Sequence, residues 1–136
     1  MMPSKAILLV EDDDVDAKTV KRALRELSLT NPLVWVTNGE EALAWLRDPA
    51  NGHPGIILLD LNMPVMSGIE FLQVAKQDER LRRIPVVVVT TSALEADKLA
   101  SFDLSVAGYM IKPVDYAQFV EVVRAINLYW TLSETP

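Results

Sequence analysis

The chain has no cysteine. Disulfides, thiolate zinc sites, thiol nucleophiles and redox switching are therefore excluded. It has one histidine, His53, set between Gly52 and Pro54, which reads as a solvated loop residue. A single imidazole removes most histidine metal sites and makes a Ser-His-Asp triad a poor candidate. Positive charge is scarce: 13 Lys and Arg face 19 Asp and Glu, for a net charge of −6. A bulk field of that sign repels nucleic acid. Long apolar runs are also missing. None approaches the roughly 18 residues of a membrane helix. The run at residues 6–10 is too short for a signal-peptide core, and it meets four acids at residues 11–14. A cytoplasmic protein is expected. Chemistry is left to carboxylates, hydroxyls, lysines and backbone groups.

At 136 residues, and about 150 residues per domain, a single domain over residues 1–136 is expected. Continuous apolar runs lie at residues 6–10, 56–59 and 86–89, with weaker ones at 33–36 and 108–111. Continuous runs suit strands buried on both faces. Between them the spacing turns helical. Ala17, Val20, Leu24 and Leu27 share a stripe, as do Ile69, Leu72 and Ala75, then Phe119, Val122, Val123 and Ile126. Shorter helical stretches fit residues 40–46 and 94–102. Punctuation agrees. Asn38-Gly39 and Ser67-Gly68 open helices, Asp115 suits a cap, residues 48–55 read as a loop, and Pro85 starts a strand. Alternating strands and helices argue for a doubly wound α/β fold on a parallel sheet.

In such sheets ligands sit outside the carboxyl ends of the strands. Glu11, Asp12 and Asp13 follow the first run. Asp60, Leu61, Asn62, Met63 and Pro64 end the third, Thr90, Thr91 and Ser92 the fourth, and Lys112-Pro113 the fifth. After the second run come only Thr37 and Asn38, which suits an edge strand away from the site. Clustered carboxylates repel one another unless a cation sits among them. Oxygen ligands without His or Cys suit Mg²⁺, which keeps several waters and needs only one or two carboxylates. Carboxylate, Mg²⁺, Lys and hydroxyl together make a site for a transferring phosphoryl group, with a carboxylate as nucleophile.

Five segments carry a resemblance: Leu9-Val10-Glu11-Asp12-Asp13, Leu58-Leu59-Asp60-Leu61-Asn62-Met63-Pro64, Met66-Ser67-Gly68, Ile84-Pro85 through Thr90, and Gly108-Tyr109-Met110-Ile111-Lys112-Pro113. In this order they resemble the receiver domain of two-component response regulators, over a core of about residues 5–128 with a C-terminal extension of about 129–136. The resemblance implies the flavodoxin-like (βα)5 fold with strand order 2-1-3-4-5. It implies Asp60 as phosphoacceptor, and Mg²⁺ held by Asp12, Asp60, Glu11 (through water) and the Asn62 carbonyl, with Mn²⁺ or Ca²⁺ as substitutes in crystals. Lys112 would pair with one phosphoryl oxygen and Thr90 with another. Tyr109 would change rotamer as Thr90 moves, and the Lys112–Pro113 bond would be cis. Asn62 and Ser92 occupy positions that tune autodephosphorylation. The chain would then be no enzyme beyond self-phosphorylation and its reversal.

A finer resemblance, carried by Thr90-Thr91-Ser92, residues 112–119 and the tail from Tyr129-Trp130, is to single-domain regulators that partner phytochrome-type histidine kinases. Related regulators serve other kinases and phosphorelays. Output is expected through protein contact. A homodimer is expected through the fourth helix, fifth strand, fifth helix and tail, with Phe102, Tyr109, Tyr116, Phe119, Tyr129 and Trp130 as candidate anchors. Asp13, Asp14 and Asp16 are expected at a solvated helix start. Trp35 and Trp45 are expected to pack structure.

Other readings meet specific obstacles. A flavin carrier needs a phosphate cradle after the first strand, where this chain has Glu11-Asp12-Asp13. An aspartate-nucleophile phosphohydrolase needs a second acid two residues after Asp60, where this chain has Asn62. An unphosphorylated pseudo-receiver would have no need of the full set of acids, Thr and Lys.

Overall fold

A computed structural model describes residues 5–26, 31–90, 94, 98–99, 104–112, 117, 121 and 124. Five strands form one sheet: β1 (Ile7–Val10), β2 (Leu33–Val36), β3 (Ile56–Asp60), β4 (Val86–Thr90) and β5 (Gly108–Ile111). All neighbours are parallel, in the order β2-β1-β3-β4-β5. Three helices are described in full: α1 (Asp14–Glu26), α2 (Gly39–Arg47) and α3 (Gly68–Gln77). Residues 94, 98 and 99, and residues 117, 121 and 124, are also helical. They fall where the fourth and fifth helices were expected.

The apolar runs explain the layers. Every residue of β1, β3 and β4 is buried, because helices cover both sheet faces. Side chains alternate between two cores. Leu8, Val10, Ile57, Leu59 and Val88 pack with α2 and α3, where Leu43, Leu46, Phe71 and Leu72 meet them. Ile7, Leu9, Ile56, Leu58, Val87 and Val89 pack with Ala17, Val20 and Leu24 of α1. The two weaker runs are the edge strands, half-buried in β2 and mostly outward in β5.

Helix starts follow the local chemistry. The Asp13 carboxylate accepts from the Val15 and Asp16 N–H groups at 2.8 and 3.1 Å. Asn38 caps α2. Ser67 and Glu70 form a reciprocal capping box on α3. The elements differ from expectation mainly at their ends. β3 and β4 run one residue further, through Asp60 and Thr90, because the ladder continues as Asp60↔Val89 and Thr90↔Ile111. The buried stripe of α3 is Gly68, Phe71, Leu72 and Ala75, with Ile69 only packed against its rim. No described helix is long and apolar enough to cross a membrane.

The chain passes from β1 to β2 on one side, then crosses to β3 on the other. This switch point opens a crevice beyond the carboxyl ends of β1 and β3. It is where the acids stand.

Candidate functional site

Glu11 follows β1 directly, and its N–H donates to the Val36 carbonyl at 3.0 Å. That bond extends the β1–β2 ladder by one step and turns the Glu11 side chain into the crevice. On the other side of the backbone, the Trp35 indole N–H donates to the Glu11 carbonyl at 2.7 Å. Trp35 is 40 % exposed, so it anchors the strand end rather than filling the core, while Trp45 packs against the α2–α3 core. Asp60 ends β3. Glu11 and Asp60 are each only 3 % exposed, while Asp12 is open to solvent. Carboxylate oxygens of Glu11, Asp12 and Asp60 lie within 4.8 Å of one another.

Lys112 comes from the far side of the sheet. Its N–H donates to the Thr90 carbonyl at 2.7 Å, which carries the β4–β5 ladder past Ile111 and sets the lysine over the strand ends. Its Nζ lies 3.2 Å from Asp60 Oδ2, 3.0 Å from Glu11 Oε1 and 2.8 Å from Asp16 Oδ2. The ammonium is therefore shared by three carboxylates. The Asp16 contact corrects the expectation of a purely solvated helix start. Cβ atoms of a helix tilt toward its N-terminus, so the first turn of α1 leans a carboxylate back over the strand ends. Asp13 and Asp14 remain exposed at the helix start, as expected.

The electrostatics follow from this crowding. The Glu11 pKa is raised from 4.5 to about 8, first by burial, then by the hydrogen bond with Asp60 and its charge; Lys112 opposes the shift. Burial alone would lower the Lys112 pKa. Hydrogen bonds to Asp16 and Glu11, with the charges of Asp60 and Glu11, outweigh it and hold the lysine above its usual range. Ionising both buried carboxylates beside a single lysine would leave negative charge uncompensated. All the available donors are hard oxygens, and that set fits a divalent cation such as Mg²⁺.

The other expected residues differ in burial and contacts. Thr90 is fully buried at the end of β4. Asn62 is exposed, and its N–H donates to Asp60 Oδ1 at 3.1 Å, fixing the carboxylate's orientation. Tyr109 points outward from β5 and is 42 % exposed. Phe102, Pro113, Tyr116, Phe119, Tyr129, Trp130, Thr91, Ser92 and Asp115 lie outside the described residues, and with them the expected cis bond.

Two backbone features frame the loop after Asp60. Gly68 approaches so closely that a Cβ there would lie 2.6 Å from the Asp60 carbonyl oxygen and 2.6 Å from Leu61 Cα. Its N–H donates to the Leu61 carbonyl at 3.0 Å. Val65 takes φ +67°, and the Met66 N–H reaches the Pro64 carbonyl at 2.7 Å across it. That is a γ-turn with a positive central φ, a strained conformation for a β-branched residue.

A groove of about 630 Å³ lies at the opposite, amino end of the sheet, lined by Lys5, His53, Arg80, Arg82 and Arg83 among others. It shares no residue with the acidic site. His53 is exposed there, as expected.

Comparison with known proteins agrees with this geometry. A profile for the response regulator receiver domain matches residues 7–124. The chain is 39 % identical over 127 residues to the probable methanogenesis regulatory protein FilR2 of Methanothrix harundinacea, covering 91 % of this chain and 82 % of the relative. It is 38 % identical over 132 residues to the response regulator Rcp1 of Synechocystis sp., covering 94 % and 90 %. The Mn²⁺-bound structure of Rcp1 superposes with a TM-score of 0.76, covering 93 % of this chain and 94 % of that one. The phosphorylated cyanobacterial phytochrome response regulator RcpA superposes with a TM-score of 0.78 at 40 % identity, covering 97 % of each chain.

Proposed function

The chain belongs to the response regulator receiver domains of two-component signalling, and on that premise we propose that it is a phosphorylatable switch whose acceptor is Asp60. A histidine kinase supplies the phosphoryl group from a phosphohistidine. An Asp60 oxygen attacks phosphorus, the O–P bond forms as the P–N bond breaks, and the imidazole leaves with the electron pair. Lys112, 3.2 Å from Asp60, neutralises one phosphoryl oxygen, and the Thr90 hydroxyl donates to another. Glu11, Asp12, Asp60 and the Asn62 carbonyl would hold Mg²⁺, which when bound supplies positive charge to the phosphoryl oxygens. That Rcp1 has an Mn²⁺-bound form supports a divalent ion for this chain.

The added charge then biases a two-state element. Thr90 moves toward the phosphoryl group and Tyr109 turns inward. This remodels the surface formed by β5 and the helical residues 94, 98, 99, 117, 121 and 124. That surface, with the C-terminal tail, forms a homodimer in the cytoplasm. Outside self-phosphorylation and its reversal the chain has no turnover of its own, and 1–136 acts as a single domain.

The observation that carries the reading is the convergence of Lys112 Nζ on Asp60 where the carboxylates of Glu11, Asp12 and Asp60 meet. Phosphotransfer tests it. A phytochrome-type histidine kinase is incubated with the chain in Mg²⁺ or chelator, and labelling is read by intact mass. One phosphoryl group per chain is expected in Mg²⁺, and none in chelator or in Asp60→Asn. Stoichiometric labelling of Asp60→Asn refutes the assignment. The identity to Rcp1 and RcpA supports the phytochrome-type partner. Faster labelling by an unrelated sensor kinase would replace it, a result that FilR2, at similar identity, makes worth seeking.

A further inference from the structure

Lys112 is committed before any phosphoryl group arrives. Its shortest contact is neither to the proposed acceptor nor to Glu11, but to Asp16, at 2.8 Å. Glu11 and Asp60 are nine-tenths buried or more, so their contacts with Lys112 are fixed by the strand ends. Asp16 is different. It stands on the first turn of α1 and is 41 % exposed. It is not among the acids that converge to hold a cation, which are Glu11, Asp12 and Asp60. Among the described residues its carboxylate pairs with the lysine.

An ammonium has three N–H donors, and here three carboxylates take them. To neutralise a phosphoryl oxygen, Lys112 must release one. Asp60 is the group being modified, and Glu11 belongs to the set that faces the cation. The acceptor left to compete with the phosphoryl group is Asp16. Its charge also opposes the approach of an anionic phosphodonor at close range.

Resting on the phosphoacceptor reading above, we infer that Asp16 is a positioning residue that holds Lys112 back and so slows phosphorylation of Asp60. Removing its charge frees the ammonium for the transition state without touching the acceptor. A half-exposed ion pair is a weak hold, so the effect is a tuning of rate: two- to fivefold, not orders of magnitude.

The test uses a small phosphodonor, so that no kinase contact intervenes. Phosphoramidate gives its phosphoryl group to Asp60 as the P–N bond breaks and ammonia leaves. Wild type, Asp16→Asn, Asp16→Glu and Asp14→Asn are labelled in saturating Mg²⁺, and the rate is read by intact mass. Asp14 sits in the same turn and is exposed, with Lys18 at 3.6 Å rather than Lys112. Its variant removes the same charge without the contact.

Asp16→Asn is expected to be labelled two- to fivefold faster, Asp14→Asn at the wild-type rate, and Asp16→Glu near wild type. The Lys112 Nζ resonance should shift in Asp16→Asn only, and Mg²⁺ affinity should be unchanged in all four. An unchanged or slower rate in Asp16→Asn overturns the inference. So does equal acceleration by Asp14→Asn, which would make the effect one of bulk field. A tenfold loss of Mg²⁺ affinity in Asp16→Asn would also overturn it, by making Asp16 a metal ligand. If wild type and Asp16→Asn both stay unlabelled, the phosphoacceptor reading itself fails, and this inference falls with it.

Discussion

Gly39 and Gly68 are both the first residue of a helix, each behind a polar cap. Replacing either by alanine makes the same change in intrinsic helix propensity, at most about 1 kcal/mol in alanine's favour. What differs is the neighbour. A Cβ on Gly39 would lie 2.8 Å from Met66 Cγ and Sδ, the far end of a side chain with rotatable bonds to spare. A Cβ on Gly68 would lie 2.6 Å from the Asp60 carbonyl oxygen and Leu61 Cα, and 3.0 Å from Leu61 Cδ2. Carbon atoms prefer separations of about 3.5–4.0 Å, so the overlap at Gly68 is on the order of 1 Å, against backbone that a buried strand holds in register.

Overpacking of this kind costs about 1–3 kcal/mol. Net of propensity, Gly68→Ala is expected to lose about 2 kcal/mol and Gly39→Ala to stay within about 0.5 kcal/mol of wild type. Urea unfolding reads both through the midpoint at unchanged m. The relief at Gly68 must come from moving α3 or the end of β3, and the end of β3 is Asp60. A displacement of 1 Å at a reacting group can cost about 100-fold in rate, so Gly68→Ala should also slow phosphorylation at least tenfold, with Gly39→Ala unaffected. If Gly68→Ala keeps both wild-type stability and wild-type labelling, the close approach does not position the acceptor. If the two variants lose the same stability, the backbone contact at Gly68 is no costlier than the side-chain contact at Gly39, and the reasoning fails.

Glu11 gives a pH signature. With its folded pKa near 8 and an ordinary value of 4.5, the folded state binds the extra proton between those values. Its stabilising contribution is full below pH 4.5 and is lost as pH rises to about 8. Melts in chelator should show that decline, and Glu11→Gln should flatten it. Because the cation needs the carboxylate form, Mg²⁺ binding at pH 7 should release close to one proton, read by calorimetry in buffers of different ionisation heat; release of none refutes the shift. Ser67→Ala removes the Glu70 N–H to Ser67 Oγ bond of the α3 capping box, while the residue-67 N–H still donates to Glu70 Oε1, and should cost about 1 kcal/mol in urea. Val65→Gly should gain up to about 1 kcal/mol, because left-handed backbone costs a β-branched residue about 1–2 kcal/mol, part of which glycine returns as chain entropy. A loss in that variant would mean the γ-turn is not strained.

The parts of the fold that could be read from sequence are those where one residue type has one explanation. Runs such as 56–59 and 86–89 have no polar face to offer water, which suits strands buried on both faces, and the residues after 33–36 suited an edge strand. Gly68 and Ser67 announce a helix start by type. Strand order is another matter. Periodicity says which residues are buried but not which strand lies beside which, and the order came only with the resemblance. Asp16 was hidden for a related reason. Among five acids in the six residues 11–16, composition cannot separate the one that reaches Lys112 from those that face water. Phe71 escaped the helical stripe because Ile69, one face round, matched the spacing as well. Val65 could not have been placed in a γ-turn from its type, since a branched residue argues against that backbone.

The same acids explain why charge, rather than shape, sets the order of events at the site. Four carboxylates, from Glu11, Asp12, Asp16 and Asp60, gather around one lysine, and ionising Glu11, which burial and Asp60 both oppose, would leave them unbalanced by it. A phosphoryl dianion would add to the excess. Under the proposed reading, a divalent cation must therefore enter before an anionic donor can approach, and each partner lowers the cost of the other. By linkage, phosphorylation must then tighten the cation by the same factor by which the cation favours phosphorylation. Lys112 cannot replace the cation in this role, because its three donors are already taken. It can only be redistributed among its acceptors, which is why a half-exposed Asp16 is able to tune a reaction it does not touch.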